Sequence, residues 1–193
     1  MEVNTINQSP SSIRGSTLST ILELFGENQH AGGQAEEQQD HVRILVVVEG
    51  VNDIGFLRRI SVILHASDSS LPNLAEWETG GALVFVPTGG PSEAWCHRLA
   101  PLDRPEFFLL DRELPPETEQ RRAMVARINR RGGCHAALTK KRSLENYLHP
   151  TAIYAASGLT LQFSDFDSVA HLAAKHAFDA KSPDTAWGNL SAR

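Results

Sequence analysis

Two stretches of the chain end continuous apolar runs in carboxylates. One is Val46-Val47-Val48-Glu49-Gly50-Val51-Asn52-Asp53, the other Phe107-Phe108-Leu109-Leu110-Asp111-Arg112-Glu113. An apolar run of this kind reads as a strand buried on both faces, as in a parallel sheet. Acids at the C-terminal ends of such strands lie at the edge where open α/β sheets place their ligands. Glu49 and Asp53 stand at i and i+4 across a predicted strand–helix turn, so both can face one spot above the strand end. Gly50 between them is expected to let the backbone turn where a side chain would obstruct a ligand. Asp111 and Glu113 form an acid-x-acid pair at a second strand end. Carboxylates that converge in this way repel one another unless a cation sits among them, and a hard cation such as Mg²⁺ takes oxygen ligands. The chemistry implied is a metal site that works on phosphates.

Plainer roles exist for some of these acids. Asp53 alone also fits a helix-start residue favoured by the dipole, and Glu113 alone fits a solvated loop acid. Glu49 and Asp111 are different, because each directly terminates an apolar strand. A third stretch, Lys140-Lys141-Arg142-Ser143-Leu144-Glu145-Asn146-Tyr147-Leu148, sets a run of cations just before Glu145. Beside an acid cluster it suits an anionic substrate. Taken by itself it is also a helix capped by Ser143 with a basic loop in front.

The elements that must position these residues follow from the apolar pattern. Strands are predicted at Ile44–Val48, Ala82–Val86, Phe107–Leu110 and Cys134–Leu138. A crossover helix is predicted from about Asn52 to His65, where Phe56, Leu57, Ile60, Ile63 and Leu64 recur at helical spacing. A turn cluster, Pro87-Thr88-Gly89-Gly90-Pro91, and a short helix around Ser92–Leu99 lead to the third strand. An Arg-rich helix from about Pro116 to Arg131 carries Met124, Val125 and Ile128 on one face and ends at Gly132-Gly133. After Ser143 the chain reads as helical at Leu144–Leu148, Ala152–Ala156 and Ser168–Phe178. Strands alternating with helices predict an α/β fold with a mainly parallel sheet, right-handed crossovers and a helical C-terminal extension over residues 151–193. Residues 179–193 show no clear element, so the chain is expected to be truncated or disordered there.

Residues 1–41 read as an acidic leader. They hold six acids and one base, which accounts for the whole net charge of -5. A short amphipathic helix around Leu18, Ile21, Leu22, Leu24 and Phe25 is followed by a flexible linker from Gly26 to Asp40. The rest of the chain is neutral, yet residues 119–145 hold eight Lys/Arg against two Glu, a local excess that suits nucleic acid. Cys96 and Cys134 form no paired-cysteine metal motif and no disulfide framework, which fits a reducing cytoplasm. No apolar run approaches a membrane span, and no export signal is visible.

Taken together, Val-Val-Glu-Gly-x-x-Asp after the first strand, Gly89-Gly90 after the second, Asp-x-acid after the third and Arg-Ser-Leu-Glu-Asn-Tyr-Leu after the fourth resemble a TOPRIM (topoisomerase–primase) domain. The last motif is similar to that of the nuclease branch, the OLD-family and related TOPRIM endonucleases. The likeness covers residues 42–150. It implies a compact Rossmann-like sheet of about four strands, dependence on Mg²⁺ or Mn²⁺, and cleavage of phosphodiester bonds in DNA or RNA. By motif, Glu49 would be a metal ligand or general base. Asp53, Asp111, Glu113 and Glu145 would be metal ligands, and Lys141 or Arg142 would stabilise transition-state charge. The family's usual Asp-x-Asp is here Asp111-Arg112-Glu113, which puts catalysis in question at Glu113.

Many members of the family carry an ABC-type ATPase, but this sequence has no GxxxxGK[ST] loop. The expectation is therefore a stand-alone protein, able to form a homo-oligomer, or half of a pair with a separate ATPase partner. An anti-phage defence role follows from family analogy alone. Two other readings remain open. One is a non-catalytic module that binds nucleic acid or a partner. The other is a primase or topoisomerase, which would need further domains. Tyr147 and Tyr154 are the only tyrosines, and Tyr147 is expected to serve in apolar packing.

Overall fold

The computed structural model describes residues 42–89, 95, 97–182 and 187. The leader, half of the helix expected around Ser92–Leu99 and nearly all of the tail beyond Ser182 lie outside the described residues. Four strands, β1 (Ile44–Val48), β2 (Leu83–Pro87), β3 (Glu106–Leu110) and β4 (Cys134–Leu138), form one sheet in the order β2-β1-β3-β4. Every pairing is parallel, with Val46 opposite Phe85 on one side and Phe107 on the other. The protein is thus an α/β fold built on an all-parallel sheet flanked by helices. All five residues of β1 and all five of β3 are buried, as central strands covered on both faces require.

Alternation along the strands divides the core in two. Ile44, Val46, Val48, Phe107 and Leu109 point to one face. There they meet Ile54 and Leu57 of helix α1 (Val51–Ser67), Leu74 of helix α2 (Leu74–Thr79) and Leu144. Leu45, Val47 and Phe108 point to the other face and meet Ile128, Met124 and Val125 of helix α3 (Glu117–Ile128). The chain moves one way along the sheet from β1 to β2 and the opposite way from β3 to β4. Crossovers of a single hand must then put their helices on opposite faces, and α1 and α3 lie on opposite faces. The reversal sets the topological switch point between β1 and β3.

The elements depart from the sequence reading in instructive places. Helix α2 has no counterpart in it. Asn73 starts this helix by accepting from the Glu76 N–H, and Ser61 Oγ of α1 accepts from the Leu74 N–H. Strand β3 begins one residue early, at Glu106, an acid only 2% exposed. Burial is tolerated because both terminal nitrogens of Arg131 reach its carboxylate at 3.2 Å. Leu144–Tyr147 is a single 3₁₀ turn, followed by helices α4 (Pro150–Ser157) and α5 (Val169–Lys181). Helix α5 continues past Phe178, where the sequence showed no clear element. Among the described residues no helix is long and apolar enough to cross a membrane.

Candidate active site at the β1–β3 switch point

Glu49 and Asp111 follow the adjacent strands β1 and β3, so the switch point lies between them. The backbone N–H of Asp111 donates to Glu49 Oε1 at 3.1 Å, which ties the two strand ends together through one candidate residue. The neighbouring strand end is fastened in the same way: Thr88 N–H donates to Val48 O and Gly89 N–H to Glu49 O. Gly89 has φ +63°, a conformation that favours glycine.

The turn itself does not require glycine at position 50. Its backbone is extended (φ -145°, ψ 173°), and a Cβ there would meet nothing closer than Asp53 Oδ2 at 3.9 Å. Asp53 does fill the plain role of a helix-start acid, accepting from the Gly50 N–H at 2.8 Å. It also belongs to the charge cluster. Burial raises its pKa, the Gly50 hydrogen bond partly offsets that, and the charges of Glu49 and Glu145 raise it further.

Asp111 is the electrostatic centre. Burial first, and then the like charges of Glu49, Asp53, Glu145 and Glu113, push its carboxyl up to about 8. Its Oδ1 accepts from the Leu144 N–H at 3.1 Å, so the start of the Ser143–Leu148 motif is anchored on the acid it accompanies. All five sequence-predicted acids therefore act on one locus. They are not, however, gathered into a ligand set: among the described residues no group of three His, Cys, Asp or Glu side chains is close enough to hold a metal ion. Each partner explains why. Glu49 is drawn to Arg121, Asp53 to a backbone N–H, and Glu113 to Arg142 Nε at 3.1 Å. Glu113 sits at φ +54° and its own N–H donates to Arg142 O, so this acid faces the basic loop.

Arg121 is a residue of the candidate site that the sequence did not single out. Its guanidinium takes both oxygens of Glu49, through Nη1 to Oε1 and through Nη2 to Oε2 at 3.2 Å. Burial lowers its pKa, but the bond to Glu49 and the charges of Glu49, Glu113 and Asp111 more than offset this and raise it. The signal was available. Arg121 continues the inward stripe of Met124, Val125 and Ile128 one turn toward the helix N-terminus, where the helix overhangs the strand ends.

The basic motif works as a clamp. Ser143 takes the N-cap position, and Asn146 Oδ1 accepts from both its N–H and its hydroxyl. Asn146, 1% exposed, donates to Ser164 O and Asp167 O, using its full hydrogen-bonding capacity. Tyr147 does not serve in apolar packing. It is 41% exposed, and its hydroxyl accepts from the N–H groups of Lys140 and Lys141. Lys141 Nζ lies over the Tyr147 ring, donates to Asn146 O at 2.8 Å and pairs with Asp165 at 2.9 Å. Neither Lys141 nor Arg142 is thus an uncommitted cation. A comparison with family models, curated proteins and solved structures finds no match to this chain.

Proposed function

We propose that the protein is a metal-dependent nuclease of TOPRIM type, hydrolysing phosphodiester bonds in DNA or RNA. One observation carries the reading: Glu49 and Asp111 stand at the ends of neighbouring parallel strands on either side of the switch point, joined at 3.1 Å. In open α/β sheets that crevice is where ligands bind. The donor chemistry fits Mg²⁺ or Mn²⁺, since the locus offers carboxylate oxygens and carries more negative charge than Arg121 neutralises. A cation would lower the cost that pushes Asp111 up to about 8. Glu49, Asp53 and Asp111 would hold it only after Arg121 and the Gly50 N–H give up their oxygens and the carboxylates draw together, since as they stand no three are close enough.

A bound metal would supply an activated water and stabilise charge on the phosphoryl oxygens. The chain's own residues do the rest. Once Arg121 lets go of it, Glu49 accepts a proton from the attacking water; as the new P–O bond forms, the bond to the leaving sugar oxygen breaks and that oxygen takes its proton from solvent. Asp111 orients Glu49 through its backbone N–H. The cations of Lys141 and Arg142 flank the phosphate and oppose its growing charge.

A second reading, a non-catalytic nucleic-acid- or partner-binding module, draws support from the acids' present engagement with Arg121 and Arg142 and from the Glu at position 113. Incubation of the protein with labelled DNA and RNA in Mg²⁺, Mn²⁺ and chelator separates the two. The nuclease reading expects cleavage only with a divalent ion. No cleavage of either polymer, together with no saturable Mn²⁺ binding by calorimetry, leaves the module. An ATPase partner and a defence role rest on family analogy and would be tested by co-expression with a neighbouring ATPase gene.

A further inference from the structure

We propose that the turn at residues 164–167 is a built-in competitor for substrate phosphate, with the Asp165 carboxylate held on the Lys141 ammonium in place of a phosphate oxygen. The inference rests on the reading of a phosphodiester substrate given above. Its basis is a division of labour within the turn. The main chain is firmly held: Asn146 Nδ2 donates to Ser164 O at 2.9 Å and Asp167 O at 3.0 Å, and Arg142 N–H donates to Asp165 O at 2.8 Å. The turn also closes on itself, with Ser164 N–H donating to Asp167 Oδ2 at 2.6 Å.

The side chains of the turn lie on the cations of the rim. Asp165 pairs with Lys141 at 2.9 Å, and the guanidinium of Arg112 lies 5.2 Å from the centre of the Phe166 ring. Asp167 is near enough to Arg142 to feel its charge. The Asp165 side chain is 58% exposed, so its ion pair is screened and contributes little. The ammonium has a second, main-chain anchor in Asn146 O at 2.8 Å. Asp165 can therefore swing away while Lys141 stays in place and the turn stays docked. A nucleic-acid backbone, which gains counterion release on meeting a cation, is the kind of ligand that displaces it.

The test is binding of fluorescent single-stranded and duplex DNA and RNA to the full chain in chelator, measured by anisotropy across salt. Asp165→Asn should tighten binding about two- to five-fold, the equilibrium equivalent of a surface ion pair. Asp179→Asn removes the same charge from an exposed pair with Lys175 and reports the general charge effect. The gain at Asp165 should exceed that at Asp179 and vanish in a Lys141→Ala background. Equal effects at the two positions, a gain that survives Lys141→Ala, or no binding by any variant overturns the proposal. Because chelator removes cleavage from the measurement, a protein that binds as expected yet never cuts DNA or RNA sinks the nuclease reading and leaves the competitor standing.

Discussion

Asp111 concentrates the cost of bringing acids together. Its carboxyl is pushed up to about 8 from 3.8, so the folded protein holds that proton more tightly than the unfolded chain does. Stability then falls as pH rises between those two values, and the penalty is fully present above the upper one. Asp111→Asn keeps an oxygen for the Leu144 N–H and removes the charge. In the absence of divalent ions the variant should match wild type near pH 4. It should gain on it steadily toward pH 8, by several kcal/mol in urea melts. A constant difference across that range would contradict the account. At this scale the sequence was informative about identity and silent about engagement. Apolar runs marked Glu49 and Asp111, because burial of a strand is written in its residues. Spacing put Arg121 on the inward stripe of its helix but did not name Glu49 as its partner, nor show that Glu113 would turn to Arg142, because long-range ion pairs depend on tertiary placement.

The elements were legible wherever one face or both faces had to be apolar. β1 and β4 match the sequence reading, and β2 and β3 differ from it by a residue, since strand ends are set by the ladder rather than by composition. Glu106 shows the limit. An acid inside a buried strand contradicts the pattern until its partner is known, and that partner, Arg131, lies 25 residues away beyond helix α3. Arg131→Ala should leave the Glu106 carboxylate buried and uncompensated. The expected loss is about 3 kcal/mol or more in denaturant melts. Replacing both residues with leucine should recover most of it, since a buried ion pair is often no better than well-packed hydrocarbon. Arg131→Ala with unchanged stability would mean that the pair holds nothing. Helix α2 escaped notice for a different reason: at six residues it is too short for a periodic signal, and its start depends on a hydroxyl from α1.

The whole molecule arranges a crossing of two chain directions at one edge. The reversal between β1 and β3 sets the switch point, α1 and α2 cover one face, and α3 covers the other and brings Arg121 to Glu49. The extension after the fourth strand is fastened back onto the basic motif through Asn146, so it belongs to the site's architecture. The parallel direction of the strands could be read from alternation of strands and helices, whereas their order in the sheet and the docking of residues 164–167 could not. In the proposed function the ends of β1 and β3 act together as one hydrolytic site. Single-turnover cleavage of DNA and RNA with Mn²⁺ by Glu49→Gln, Asp111→Asn and the double variant tests it most directly, with folding checked by circular dichroism. Each single change should slow cleavage by at least about 100-fold, and the double should be no slower than the worse single, as for residues that work as a unit. Folded single variants that cleave at the wild-type rate would contradict the account.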